Sequence, residues 1–438
     1  MKLKNPLPLI LIGLAFAAIT LFGPVPAAWA DTITVNTAND VVNALDGQCS
    51  LREAVIAANT NTVSGIVVGE CPSGDDNLTD TIFLSAGEIY QLAIPGGGED
   101  AAASGDLDFV DNAAAVDVRL ATSGGGMATI QSSVADRVLH ILGATVETAG
   151  VVVRDGNGVT NGAGIYNAEG HLTLITSTVT LNTSNFGGGG IYNSGQDAVL
   201  ILDDSGVIRN FANTSGGAGI ANAGGLAWVR NGSLILSNQV TDGHGGGIYN
   251  IFGRVVVEGN SQIAENQTET AAQDGKGGGI FNATGTLTVT NSTVSGNDAE
   301  LGGGIFVESL TVATISDSAL EANTASQEGG GLYNAGTTIL NRSAVISNMA
   351  TLPGGGIWTD AGLTLVNSTV SGNQAGATAA GIYVETTGQI TATNATIAAN
   401  SGPGWGIYKA GEATLQNTIV ADHANGNCLA VATPFNSL

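Results

Sequence analysis

The chain has 438 residues, with 65 Gly, 12 Lys+Arg against 37 Asp+Glu, and a formal net charge of −25. Glycine is about twice its usual ~7% and charge is under half its usual ~25%, which excludes a disordered polyelectrolyte and, without a Gly-X-Y period, a collagen. So few and so scattered cations also exclude nucleic acid as a partner, because phosphate binding needs clustered Lys and Arg.

At the N-terminus, Lys2 and Lys4 precede an apolar run from Leu7 to Phe22, and Ala28-Trp29-Ala30 stands before Asp31. That is the layout of a cleavable secretory signal over residues 1–30. The run is shorter than the ~20 residues a spanning helix needs, so the mature chain is expected to be exported, secreted or at the cell surface, with no membrane span. Disulfides persist in that compartment, and Cys49 and Cys71 are close enough in sequence to pair. Cys428 is then the odd thiol, which suggests an intermolecular partner or a lost mate.

Ser50 and Glu53 form a capping-box pattern, predicting a short helix from Leu51 through Ala58. Its apolar residues Leu51, Ala54, Val55 and Ala58 share one face. Arg52 and Glu53 also read as a candidate catalytic pair, but Glu53 already has a complete capping role.

From residue 150 onward the chain is a repeat. Gly-Gly-Gly-Ile-Tyr-Asn, or a close variant, recurs ten times, its aliphatic residue falling at Ile165, Ile191, Ile220, Ile248, Ile280, Ile305, Leu332, Ile357, Ile382 and Ile407. A second element, aliphatic-x-x-Asn, keeps step with it and ends at Asn182, Asn210, Asn238, Asn266, Asn297, Asn323, Asn348, Asn373 and Asn400, with His423 in the tenth place. Between them lie period-two stretches such as Leu287-Thr288-Val289-Thr290. A unit of ~25 residues cannot bury a core alone, so the units must stack. The prediction is an all-β, single-stranded right-handed parallel β-helix of about 12 turns of three strands, capped by the N-terminal helix. Its parts would be the signal (1–30), a capping region (31–110), the β-helix (111–424) and a tail (425–438). That tail has no clear cap, as a truncated C-terminus would leave it. The unit from Ile248 to Ile280 carries an excess, Gln267–Lys276, expected to bulge from one corner.

The ten copies of Gly-Gly-Gly-Ile-Tyr-Asn with trailing aliphatic-x-x-Asn resemble the polymorphic outer-membrane protein repeat, of the pectin-lyase-like superfold, over roughly residues 150–423. Val, Ile or Leu (Val179, Ile263, Val294, Val370, Ile397) opens the second motif where that family often has Phe, and no membrane barrel follows. Cys49-Ser50-Leu51-Arg52-Glu53-Ala54 resembles the motif that names the CSLREA domain, with Gly69-Glu70-Cys71-Pro72 and Gly105-Asp106-Leu107-Asp108-Phe109 similar to that family too. The resemblance implies an exported β-helix with a cap. It implies no reaction.

Candidate sites follow from the columns. The Asn column suits a structural ladder of side-chain amides. The position after each Ile holds Tyr166, Tyr192, Ala221, Tyr249, Phe281, Phe306, Tyr333, Trp358, Tyr383 and Tyr408. With Ile inward, these rings would face outward and form a recognition stripe for an extracellular glycan or a cell-surface protein; the alternatives are that they stack on one another and stiffen the sheet, or that they point inward and Ile does not. Asp274, Asp298 and Glu300 form an acidic corner whose oxygens would suit Ca²⁺, although no cofactor is required. Asp106 and Asp108 are expected on the outer face of an early strand. The resulting expectation is a non-catalytic, adhesin-like binding rod, with a polysaccharide lyase or glycoside hydrolase as the alternative. The enzyme would need a basic residue beside paired carboxylates on one sheet, which the sequence does not display.

Overall fold

A computed structural model describes residues 32–75, 78–111, 117–269, 274–430 and 436–437. The signal sequence lies outside these residues, as do parts of the corner excess and of the tail. The protein is an all-β, right-handed parallel β-solenoid of about 11 turns, with one short helix. It is built of three sheets, one of 26, one of 13 and one of 8 strands, the last spanning only the turns from Thr183 to Ala375. In the largest, Ile280–Thr290 is one continuous strand, whereas the next turn divides it into Ile305–Val307 and Val312–Ser316.

The register is the one that the repeat dictates. Ile165 pairs with Ile191, then Ile220, Ile248, Ile280, Ile305, Leu332, Ile357, Ile382 and Ile407, without a slip. Each of these residues is fully buried in one continuous apolar core. A one-residue slip would turn every strand inside out, so burial of this column locks the stack.

The glycine triplet allows the turns to close. In one unit, Gly302 has φ +62°, which a side chain rarely adopts, and a Cβ on Gly303 would run into the Thr324 carbonyl of the next turn. Gly304 N–H donates to Gly330 O at 3.0 Å, so successive triplets bond to each other along the axis.

The aliphatic-x-x-Asn corner works in the opposite way. The residue before each Asn is left-handed even where it is not glycine, as at Leu181 (φ 57°), Ala322 (φ 54°) and Ala399 (φ 53°). The Asn column holds that strained bend. Each amide donates to the next from Asn182 to Asn400 at 2.8–3.0 Å. His423 ends the ladder: its Nδ1 accepts from Asn400 N–H at 3.2 Å, and its Nε2 lies 3.0 Å from Ile397 O. All nine Asn side chains are buried, so these bonds satisfy groups that would otherwise stand unpaired.

The helix runs Leu51–Thr60, two residues past the expected end, and both bonds of the Ser50–Glu53 capping box are present. Cys49 and Cys71 are disulfide-bonded. Cys428 is free and half-buried, and that burial raises its thiol pKa. Among the described residues, no helix is long and apolar enough to cross a membrane.

Candidate functional site

Two constellations lie on the outer face of the largest sheet. The first is the aromatic column itself. Its rings point away from the core, as alternation requires, while the preceding aliphatic residues point in. They do not form an open stripe, however. Phe281, Phe306 and Trp358 are only 4%, 3% and 6% exposed. Phe306, Tyr333 and Trp358 stack at 4.4 and 4.1 Å between centroids, Trp358 and Tyr383 lie parallel at 6.4 Å, and Tyr383 stacks on Tyr408 at 4.9 Å. Tyr249 stacks on Phe281, and Tyr166 meets Tyr192 edge-on. In-register rings on parallel strands sit close to stacking distance, so most of each face is spent on a neighbour, least at the 6.4 Å Trp358–Tyr383 pair. Edges and hydroxyls, and part of a face at that pair, remain for a ligand.

Carboxylates wall the column. Glu308, Asp360 and Glu385 occupy one position at the strand ends, with Ala335 in the turn between Glu308 and Asp360, and Glu328 stands on the opposite side, before its glycine triplet. Burial first, then Glu385, raises the Glu328 carboxyl; burial first, then Glu385 and Glu308, raises Asp360. Burial and these carboxylates push Tyr383 up to about 12 and raise Tyr333 further. Tyr383 Oη lies 3.3 Å from Glu385 Oε2.

The second constellation is at the N-terminal end. The fully buried Arg52 holds Asp40 through Nε at 2.6 Å and Nη2 at 3.1 Å, and spends its other protons on the carbonyls of Ala102, Gly105 and Asp106. This clamp folds loop 94–106 over the first turns. Asp106 and Asp108 do sit on the outward side of their strand, but the loop shuts them in at 3% and 0% exposure, contrary to the expected open face.

Asp108 pairs with His140 of the neighbouring strand, Oδ1 to Nδ1 at 3.1 Å. Asp106 Oδ2 makes a 3.2 Å ion contact with Arg137 Nε. Arg137 in turn lies over the Tyr166 ring at 5.2 Å, and His140 stacks on the same ring. Burial, with Asp108 and Asp136 beside it, raises Asp106 to about 8 despite Arg137. The Oδ2 of Asp136 is buried and without a hydrogen-bond partner. Asp136, Arg137, Asn161 and Tyr166 line a cleft of about 340 Å³.

Basic residues therefore do stand beside paired carboxylates on one sheet, which the sequence reading missed. Leu107 and Leu139 are 32 residues apart in a stretch where the repeat is not yet regular, so nothing in the spacing announces that their strands are neighbours. A search for short-range Asp-x-Asp paired with an outlying Arg-x-x-His would have raised these residues as candidates.

The acidic corner converges only in part: Asp298 and Glu300 line one hollow, where burial first and then Glu300 raise the Asp298 carboxyl. Glu300 also packs on the Gly275 backbone, and Glu269 shares the hollow, while Asp274 is exposed and outside its lining. Among the described residues, one set of three carboxylate or imidazole groups brings its ligand atoms within 4.8 Å of one another, and it is Asp100, Asp108 and His140. Asp203 and Asp317, too far apart to act together, each hold a single arginine, Arg230 and Arg342.

No family model, curated protein or solved structure matches this chain.

Proposed function

We propose that this protein is an exported, non-catalytic binding rod, adhesin-like in role, secreted or displayed at the cell surface. In this reading residues 1–30 are its signal, the CSLREA-like segment is its cap, and the repeats resembling those of polymorphic outer-membrane proteins are its shaft. The observation that carries the reading is the ring column on one long face, interrupted at Ala221 and walled by acids from Phe306 to Tyr383. A stiff coil that repeats one outward pattern for ten turns offers an extended surface. Since ring faces are mostly occupied by neighbouring rings, the column favours a protein partner over a glycan, which would need an open ring face to stack on.

One observation favours an enzyme as the second reading. Behind the Arg137 side of the N-terminal cleft, burial raises the Asp106 carboxyl to about 8, and the Asp108–His140 pair and Arg137 stand beside it. A protonated carboxyl beside a second acid is the arrangement that glycoside cleavage uses, and Arg137 would suit an acidic sugar.

One experiment separates the readings. Residues 31–438 are incubated with neutral and acidic polysaccharides, and size-exclusion chromatography reports chain length and co-elution. Unshortened chains are expected. Shortened chains, abolished by Asp106→Asn, would replace the binding rod with the hydrolase or lyase.

A further inference from the structure

Lys276 shows what the aromatic column can hold. Its Nζ lies 4.8 Å from the Phe306 ring centroid and 5.6 Å from that of Phe281, and it bonds Glu308 Oε2 at 3.0 Å. An ammonium thus sits over two rings, with a carboxylate of the outward acid column closing the far side.

The same columns meet again two turns on, with one change. The carbonyls of Lys276, Leu301 and Glu328 accept from Gly245, Gly277 and Gly302 in successive turns, so Glu328 occupies the backbone column of Lys276. Asp360 and Glu385 occupy that of Glu308, and Tyr333, Trp358 and Tyr383 continue the rings. Where the first set is acid, rings and ammonium, the second is acid, rings and acid. Asp360 Oδ1 is shut from solvent and has no hydrogen-bond partner. Among the described residues, the cation–ring contacts involve Arg137, Arg230 and Lys276, and none reaches Tyr333, Trp358 or Tyr383.

We infer that the trough formed by Tyr333, Trp358 and Tyr383 between Glu328 on one side and Asp360 and Glu385 on the other receives the ammonium of a lysine side chain from a basic polypeptide partner. The inference rests on the reading of the ring column as a recognition face and names its partner. The carboxylates supply the charge, and the Trp358–Tyr383 pair, parallel but 6.4 Å apart, is where the rings leave part of a face to the ammonium. Three carboxylates about one trough suit several lysines better than one small amine, and the whole chain carries −25.

The probe is hexalysine, read by tryptophan fluorescence of the signal-free chain in a Trp228→Phe, Trp405→Phe background, so that Trp358 alone reports. Butylammonium is the small-amine arm, and hexaglutamate and a neutral oligosaccharide are the controls. Hexalysine is expected to shift Trp358 emission and to bind at least tenfold more tightly than butylammonium. The triple variant Glu328→Gln, Asp360→Asn, Glu385→Gln should weaken it at least tenfold, and a charge-matched variant outside the trough, Glu258→Gln with Glu265→Gln and Glu321→Gln, should not. Glu328→Lys restores the arrangement found at Lys276 and should block hexalysine while the circular dichroism spectrum stays unchanged. Equal binding to the two triple variants would overturn the inference, because the rod's overall charge would then be the binder. Failure of hexalysine alongside a Trp358 response to the neutral oligosaccharide would overturn it and leave the recognition face standing. Silence toward every probe would overturn both.

Discussion

Single residues here act through the company that stacking gives them. Asp106 is the clearest case, since burial holds its proton up to about pH 8, whereas the unfolded chain releases it near the ordinary 3.8. Between those values the native state binds more protons than the unfolded state, so this residue's contribution falls as pH rises from about 4 to 8 and is level outside that window. Asp106→Asn should therefore match the parent in urea midpoint at pH 4.5 and exceed it at pH 8.5. A constant offset across that range would mean that Asp106 is ionised throughout. The buried asparagines of Ile-Tyr-Asn carry the same lesson. Asn167, Asn193, Asn222, Asn250 and Asn282 form a second amide ladder at 2.6–2.9 Å, broken where Val307 replaces Asn. The motif was visible in the sequence, but its inward direction is what makes the amide a structural bond rather than a surface group.

At the scale of elements, the cap is held by one side chain more than by its helix. Ten residues of helix are marginal alone, and the capping box, the disulfide and Arg52 tie this one to the first turns. Arg52→Met would leave Asp40 buried without its cation, so a loss of about 3–5 kcal/mol is expected. The sign of it would be faster proteolytic cutting within residues 94–106, ahead of any cut in the shaft. Arg52→Lys should not rescue, because an ammonium cannot reach Asp40 and three carbonyls together. The capping box and the disulfide were legible because each depends on residues near in sequence. The clamp was not, since its carbonyl acceptors lie about 50 residues away in a loop with no motif.

The whole molecule is nearly one-dimensional, with each turn touching only its neighbours. Removing one complete unit, Gly329–Pro353, would join Glu328 to Gly354 and bring Ile305 into register with Ile357. The shortened rod is expected to fold with unchanged β-sheet circular dichroism and with a maximum dimension about 4.8 Å smaller by X-ray scattering. Removing only twenty of those residues should abolish folding, because every later strand would lose its register. The ring column belongs to this scale as well. Its aromatic positions could be read off the repeat, but whether their faces were open depended on the distance between turns. At one strand spacing, rings in register must stack, and the edges and acid walls become the surface.

The sequence alone determined the coil, its period, its register, the outward ring column, the Asn ladder and the helix cap, since each is a pattern repeated at short range and a parallel stack copies such patterns turn by turn. Only the tertiary structure decided which rings are covered, that Asp298 and Glu300 share a hollow that Asp274 does not line, and that Asp106, Asp108, Arg137 and His140 come together. Those outcomes depend on loops outside the repeat and on strands brought side by side from irregular spacings, and no local periodicity encodes them.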